Sequence, residues 1–446
     1  MVARHRLVLL VVLVLSIGSL GASVRPLTLD EAITIALKQN REITIAKLGV
    51  SKASSQVTEA FGNALPSLAI SAGYNYNIQL PVFFFPNPQT GEVAPLRFGL
   101  TNAYSVNAQV QQILFNSAVF TGIGASKIYE DASEAALDAK VAEVIAETKK
   151  RYYRALAATG FVGVAEATFN NVLETRKTIV ALFSEGLVAE FDKIRADVAV
   201  ANTEPIVIDS RAGANNALAA LQTYLSLELT DTLTLSREGL DVPVDPPAED
   251  AALRQAMEQN LDLKALALQV KVAKEFISIN RSDYFPTIAA FGQWQNQGQS
   301  ESLSNWFSAS STVVGLNFSM NLFDGLRTSS RVEQASIDYK TAQQRYDQIL
   351  ELLKLQVRAS LNDVRSAKLR IDAQKTSVTQ ATRGYDISKI RYTEGTGSLL
   401  EITDAETALA QARVNEINAL LDYHVKRADF ERVTGVVDEK YRRMVR

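Results

Sequence analysis

Cysteine is absent from the 446 residues. That excludes disulfides, thiolate catalysis and cysteine-held metals, and it removes the lipid-modified N-terminal cysteine that could anchor an exported chain. Histidine occurs only twice, at His5 and His424, which leaves almost no basis for a histidine-ligated metal or a histidine base. His424 falls in a helix-like stretch and reads as a surface or packing residue. Proline is missing from the last 160 residues, beyond Pro286, so nothing there forbids long helices. Excess charge is missing too: the net value is −3 with signs interspersed, no footprint for nucleic acid. No nucleophile–base pair, metal cluster or phosphate loop stands out, so the chain is expected to be no enzyme and to need no cofactor. Long apolar runs are lacking except at the start. There Arg4-His5-Arg6 precedes the run Leu7–Leu15, and small residues follow at Gly18, Ser19, Gly21, Ala22 and Ser23. The run is short of the ~20 residues a membrane span needs. Residues 1–23 are therefore expected to be a cleaved secretory signal, and the mature chain to be exported.

What is present is said twice. Leu37-Lys38-Gln39-Asn40 returns as Met257-Glu258-Gln259-Asn260, and Leu65-Pro66 returns as Phe285-Pro286. Leu114-Phe115-Asn116-Ser117 returns as Leu322-Phe323-Asp324-Gly325, and Glu185-Gly186 as Glu394-Gly395. Two units this large are a duplication rather than a solenoid, whose period is roughly 20–50 residues. Each copy has one order of parts: short helices, Leu/Phe-Pro, strand pair, long helix, Glu-Gly turn, long helix.

The strands alternate with period two. Leu68, Ile70, Ala72, Tyr74, Tyr76 and Ile78 oppose Ala69, Ser71, Gly73, Asn75, Asn77 and Gln79. Val106, Ala108 and Val110 oppose Asn107, Gln109 and Gln111, and Leu316, Phe318, Met320 and Leu322 oppose Asn317, Ser319 and Asn321. Residues 287–297 alternate more weakly around Trp294. One uncharged polar face and one apolar-aromatic face is the pattern of a barrel wall with lipid outside and water inside. A soluble sandwich strand looks alike over one segment; four segments after an export signal favour the barrel. Pro81–Pro95 and Gly298–Ser311 read as the loops of two hairpins. Phe83-Phe84-Phe85, in the first loop, reads as an interfacial anchor or as packing within the loop.

The rest reads as helix. Arg331–Glu394, with Gly384 as its only glycine before Gly395, would span roughly 96 Å at 1.5 Å per residue. Its apolar stripe is narrow (Ile349, Leu353, Val357, Leu361, Val364), which suits helices side by side in a wall with one wet face. Leu399 to about Val433 returns antiparallel. The first copy runs up over Gly124–Glu185 and back to about Leu229, with a kink expected at Pro205. The expected organisation is first short helices 24–66, first hairpin 67–115, first helical hairpin 116–229, linker 230–247, second short helices 248–286, second hairpin 287–323, second helical hairpin 324–434 and tail 435–446. The fold class expected is mixed all-α plus membrane β-barrel.

Four strands cannot close a barrel, since the smallest have about eight, and open edges are not tolerated in lipid. Other copies must complete it, and a lumen shared by a strand barrel and a helical tube is a conduit. Ser184-Glu185-Gly186-Leu187-Val188-Ala189-Glu190-Phe191-Asp192 and Tyr392-Thr393-Glu394-Gly395-Thr396-Gly397-Ser398-Leu399-Leu400-Glu401-Ile402-Thr403-Asp404-Ala405-Glu406 carry a resemblance at this point. They resemble the two helix-turn-helix tips of the TolC-like outer membrane efflux proteins of Gram-negative bacteria, and the likeness covers nearly the whole mature chain. It implies a homotrimer with a 12-stranded barrel in the outer membrane, a helical barrel through the periplasm and an equatorial belt. It also implies an exit duct for efflux or type I secretion, working with a periplasmic adaptor and an inner-membrane pump of RND or ABC type. Glu401 and Asp404 match the family's acidic ring at the periplasmic entrance; Ser398-x-x-Glu401 also reads as a helix capping box. Tyr392 and Asp192 match a pair that ties the entrance shut, while a third such position, Arg in the family, is Gly397 here. Gly186, Leu187, Val188, Gly395 and Thr396 match the turns on which the adaptor docks. The alternatives are a structural coiled-coil or adhesin-like surface protein, which leaves the uncharged alternating strands unexplained, and a soluble secreted enzyme.

Overall fold

The computed structural model describes residues 26–86, 89, 91–229, 233–237 and 243–445; the expected signal, residues 1–23, lies outside them. The first copy opens with two short helices, α1 (Leu29–Gln39) and α2 (Arg41–Gly62), then strand β1 (Ser67–Tyr76). A small hairpin follows, β2 (Val82–Pro86) and β3 (Val93–Arg97), then β4 (Asn102–Phe115) and the long helices α3 (Ser117–Ser184) and α4 (Glu190–Leu225). The second copy has α5 (Glu249–Gln259), α6 (Leu261–Arg281), β5 (Thr287–Ser300), β6 (Phe307–Ser319), α7 (Arg327–Thr393) and α8 (Leu399–Thr434), and α9 (Glu439–Val445) ends the chain.

The repeated residues sit at equivalent joints. Asn40 caps α2, its Oδ1 accepting from Glu42 N at 2.8 Å, while its Nδ2 donates to Tyr224 O at 3.0 Å near the end of α4. Asn260 caps α6 in the same way, accepting from Leu263 N at 2.8 Å and donating to Val433 O at 2.8 Å near the end of α8. Each buried amide thus fills an orphan helix end and ties a short helix to the foot of the returning long one. Asn116 Oδ1 accepts from Ala118 N and Val119 N at the start of α3. Asp324 Oδ2 accepts from Thr328 N in the first turn of α7.

β1, β4, β5 and β6 form one antiparallel sheet in the order β1-β4-β5-β6, so the two copies join at β4–β5 and leave β1 and β6 as free edges. Register sets the faces. Leu68, Val110, Gly292 and Val314 fall in one row, and Ile70, Ala108, Trp294 and Thr312 in the next on that side. Ala69, Gln109, Gln293 and Val313, then Ser71, Asn107, Gln295 and Ser311, make the opposite face. Glycine is required where an aromatic crosses it: a Cβ at Gly298 would sit 2.3 Å from the Tyr104 ring.

Two segments read as loops are strands. Pro81–Pro95 holds most of the β2–β3 hairpin, in which Phe83 and Phe85 pack edge-on against Phe98 at 5.7 and 5.8 Å. Proline hid it, because a two-stranded ribbon is all edge and tolerates proline. Most of Gly298–Ser311 belongs to β5 and β6, so the turn is only residues 301–306. Conversely, β6 stops at Ser319, and Met320 and Leu322 lie beyond it.

α3 has 68 residues and α7 has 67, about 100 Å each at 1.5 Å per residue. α4 packs along α3, α3 along α8 and α8 along α7, giving the row α4-α3-α8-α7. Pro205 lies inside α4, which is one helix from Glu190 to Leu225. The core gathers at the foot of the row. Leu37, Val141, Val144, Tyr152 and Leu221 are buried in the first copy, and Val357, Leu361, Ile371 and Tyr423 in the second. His424 is a packing residue, stacked on Tyr153 at 4.0 Å between ring centres. No described helix is long and apolar enough to cross a membrane.

Candidate functional site

The far ends of the four long helices carry the sequence-predicted residues. α3 stops because Gly186 takes a left-handed conformation (φ 71°), with Gly186 N donating to Phe183 O at 3.0 Å and Leu187 N to Leu182 O at 2.9 Å. α7 stops the same way at Gly395 (φ 72°), with Thr396 N donating to Arg391 O at 2.8 Å. These are paired turns that satisfy the last helical carbonyls. Leu187 is left 70% exposed at the apex, whereas Val188 leans on the apolar cluster of Ile179, Ala196, Tyr385, Tyr392, Leu399, Ile402 and Leu409. Gly397 also makes a tight approach. A Cβ there would lie 3.0 Å from Arg391 Cβ and 3.1 Å from Tyr392 N, so an arginine in its place would have to push the turn open.

Glu401 starts α8. Ser398 Oγ accepts from Glu401 N at 3.2 Å, but the capping box is only half made, because the Glu401 carboxylate turns to Arg391 at 3.5 Å instead. Asp404, one turn on, is exposed. Sequence reasoning passed over Arg391, which also donates to Thr396 O at 3.3 Å and so binds the second turn together.

Tyr392 and Asp192 line one cleft of about 590 Å³ between the two tips, with Leu187, Val188 and Gly395. The expected hydrogen bond between them is not made: the buried Tyr392 Oη has no partner among the described residues. Burial first, and the Asp192 charge second, push the phenol above its ordinary value. Asp192 therefore acts on the ring as a nearby charge.

Glu406, also missed, is the most unusual group. It is 5% exposed, its Oε1 has no partner, and desolvation pushes its carboxyl up to about 7, against a downward pull from Lys389. The signal was in the sequence: Leu399, Ile402, Glu406 and Leu409 keep the spacing of a buried seam, and only Glu406 is polar. Among the described residues no group of three or more His, Asp or Glu could hold a metal ion.

A row of long helices growing from a duplicated four-stranded sheet, with uncharged glutamines on one face and apolar side chains on the other, defines a class, and comparison with known families gives it its name. The family model of the outer membrane efflux protein matches residues 32–226 and 252–436, one match per copy, and the chain belongs to that family. It is a channel of the outer membrane and not an enzyme. Among individual relatives, the outer membrane protein TolC of Salmonella enteritidis is 22% identical over 412 residues, covering 90% of this chain and 80% of its own. The alkaline protease secretion protein AprF of Pseudomonas aeruginosa is 25% identical over 347 residues, 76% of this chain and 71% of its own. Among solved structures, the Campylobacter jejuni CmeC outer membrane channel superposes with a TM-score of 0.77 at 20% identity, over 94% of this chain and 89% of that one.

Proposed function

We propose that three copies of this chain assemble into one exit duct that crosses the outer membrane and the periplasm. What supports this reading above all is the sheet. Four strands of 10 to 14 residues are long enough to cross a bilayer, but they leave β1 and β6 unpaired. Lipid does not tolerate such edges, so β1 of one copy pairs with β6 of the next and the twelve strands close. The apolar rows, with Ile70, Val314 and Leu316 each more than 70% exposed in the single chain, then face lipid. The Gln109–Gln293 and Asn107–Gln295 rows then face a wet lumen. The helices follow the same logic. α4 and α7 are the free edges of the row, and both carry exposed apolar side chains: Phe191, Ile194 and Val198 on α4, Leu352, Leu355 and Ile390 on α7. Pairing α4 of one copy with α7 of its neighbour covers both and extends the duct as a helical tube.

The tips are the periplasmic entrance. Glu401 and Asp404, one turn apart, place six carboxylates round the axis of a trimer and favour cations there. Arg391 beside Glu401 offsets part of that charge. Tyr392 and Asp192 form the closing tie once the tips tighten and their shared cleft narrows. The turns at Gly186-Leu187-Val188 and Gly395-Thr396 receive a periplasmic adaptor, which couples the duct to an inner-membrane pump of RND or ABC type. AprF is described as a protease secretion protein, which favours a protein cargo and type I secretion as one use of this architecture.

The test of assembly is the mass of the detergent-solubilised protein by light scattering. Three chains of 48.7 kDa give about 146 kDa, and less once the signals are removed. A monodisperse monomer stable without detergent would overturn the reading.

A further inference from the structure

We infer that Glu406 is a proton-operated latch between the two helical hairpins, holding the seam near the entrance packed when its carboxyl is neutral and loosening it when the carboxyl is charged. The inference rests on the channel reading only for its consequence, gating; the latch itself is a property of the packed helices.

The geometry is that of a carboxyl buried against an apolar cluster at the wall of a recess. Glu406 lies on α8 between Ile402 and Leu409, both buried in the cluster that Ile179 of α3, Ala196 of α4 and Tyr385 and Tyr392 of α7 complete. Its Oε1 finds no partner, and neither does the buried Tyr385 Oη. Glu406 lines a recess of about 240 Å³ between α3, α4 and α8, with Val172 and Thr175 of α3 and Arg195 and Ala196 of α4 on the wall. The charged and titratable groups around it are few. α4 offers Arg195 at the recess and α7 offers Lys389 and Tyr385, while Asp386 of α7 and Arg413 of α8 act on Tyr385. α3 contributes only uncharged side chains to the recess.

A neutral carboxyl can be buried in such a joint at modest cost, but a carboxylate without a partner cannot. Once ionised, Glu406 needs water, and admitting water loosens the seam between α8 and the first hairpin, α3 and α4. The sign follows from the direction of the shift. Free to hydrate, the carboxyl ionises near its ordinary value of 4.5; buried, it holds its proton to about 7. The packed seam is therefore fully favoured below about 4.5, loses ground as pH rises from there to about 7, and loses no more above that. Tenfold per pH unit over that window makes the open seam up to about two orders of magnitude more populated in neutral than in acid solution.

The absence of cysteine makes the test direct. A single thiol at the buried seam position, Ala196→Cys, is labelled with a maleimide in the detergent-solubilised protein from pH 5 to 8, with and without Glu406→Gln. Taking the ratio of the two rates cancels the titration of the thiol itself. The expected result is a ratio near one at pH 5 that grows at least tenfold by pH 8. A ratio that stays flat overturns the latch. Should Glu406→Gln fail to assemble, amide hydrogen exchange of the unaltered protein over residues 399–409, corrected for chemical exchange, answers the same question. Protection that falls between pH 5 and 8 supports the latch, and protection that does not change overturns it. Neither readout uses current, so an absence of conductance would count against the channel and not against the latch.

Discussion

At the proposed entrance, single side chains decide charge. Glu401 and Asp404 are both exposed and one helical turn apart, and Arg391 sits against Glu401 at 3.5 Å. If the six carboxylates of a trimer face the lumen, Glu401→Ala with Asp404→Ala should lower cation selectivity and block by multivalent cations. Arg391→Gln should do the opposite, since three positive charges leave the ring. Reversal potentials across a salt gradient check both, and values equal to the unaltered protein in both variants would put these acids outside the pore. Tyr392 makes a separate claim. Its hydroxyl is buried without a partner in the single chain, so Tyr392→Phe should leave thermal stability unchanged or slightly raised. If the tie to Asp192 forms when the entrance shuts, the same substitution should lengthen open times in single-channel records. Open times unchanged in both Tyr392→Phe and Asp192→Ala would mean that something else closes the entrance. Gly397 was legible from the sequence; the ion pair of Arg391 with Glu401 was not, because Arg391 reaches Glu401 only through the fold of the turn.

At the level of elements, the duplication was legible because it is written in joint residues. Gln39-Asn40 and Gln259-Asn260 repeat since each asparagine has two jobs, capping a helix and gripping the foot of another. Asn40→Ala or Asn260→Ala should each cost about 1–3 kcal/mol and lower the unfolding midpoint, whereas an exposed asparagine such as Asn362 should cost much less. Equal, negligible shifts for all three in thermal unfolding would contradict that role. Long helices were legible from the missing prolines and the narrow stripe of Leu353, Val357, Leu361 and Val364, all buried in the fold. The strand boundaries were not. Serine and glycine read as loop residues, but here they are wall residues on both sides of the sheet, Ser308 and Ser310 on the side of Trp294 and Ser311 on that of Gln295, and β5 and β6 run through them. The β2–β3 hairpin was hidden by the four prolines around it. Glu406 was hidden for another reason: a lone acid on an apolar stripe reads as a surface residue until the facing helices are in place.

As a molecule, the single chain is an incomplete object. Its sheet has two open edges and its helical row has two more, and the apolar surface on all four is what a solitary protein would bury. The same counting was possible from the sequence, where four alternating segments fell short of a barrel. On the proposed reading, function depends on closure through other copies and on a continuous lumen from barrel to tube. The decisive measurement is current through a planar lipid bilayer into which the purified protein has been reconstituted. A closed duct gives steady, step-wise, cation-preferring single-channel currents that need no energy source. Protein that demonstrably inserts in the bilayer and yet passes no current under any applied voltage would contradict a continuous lumen.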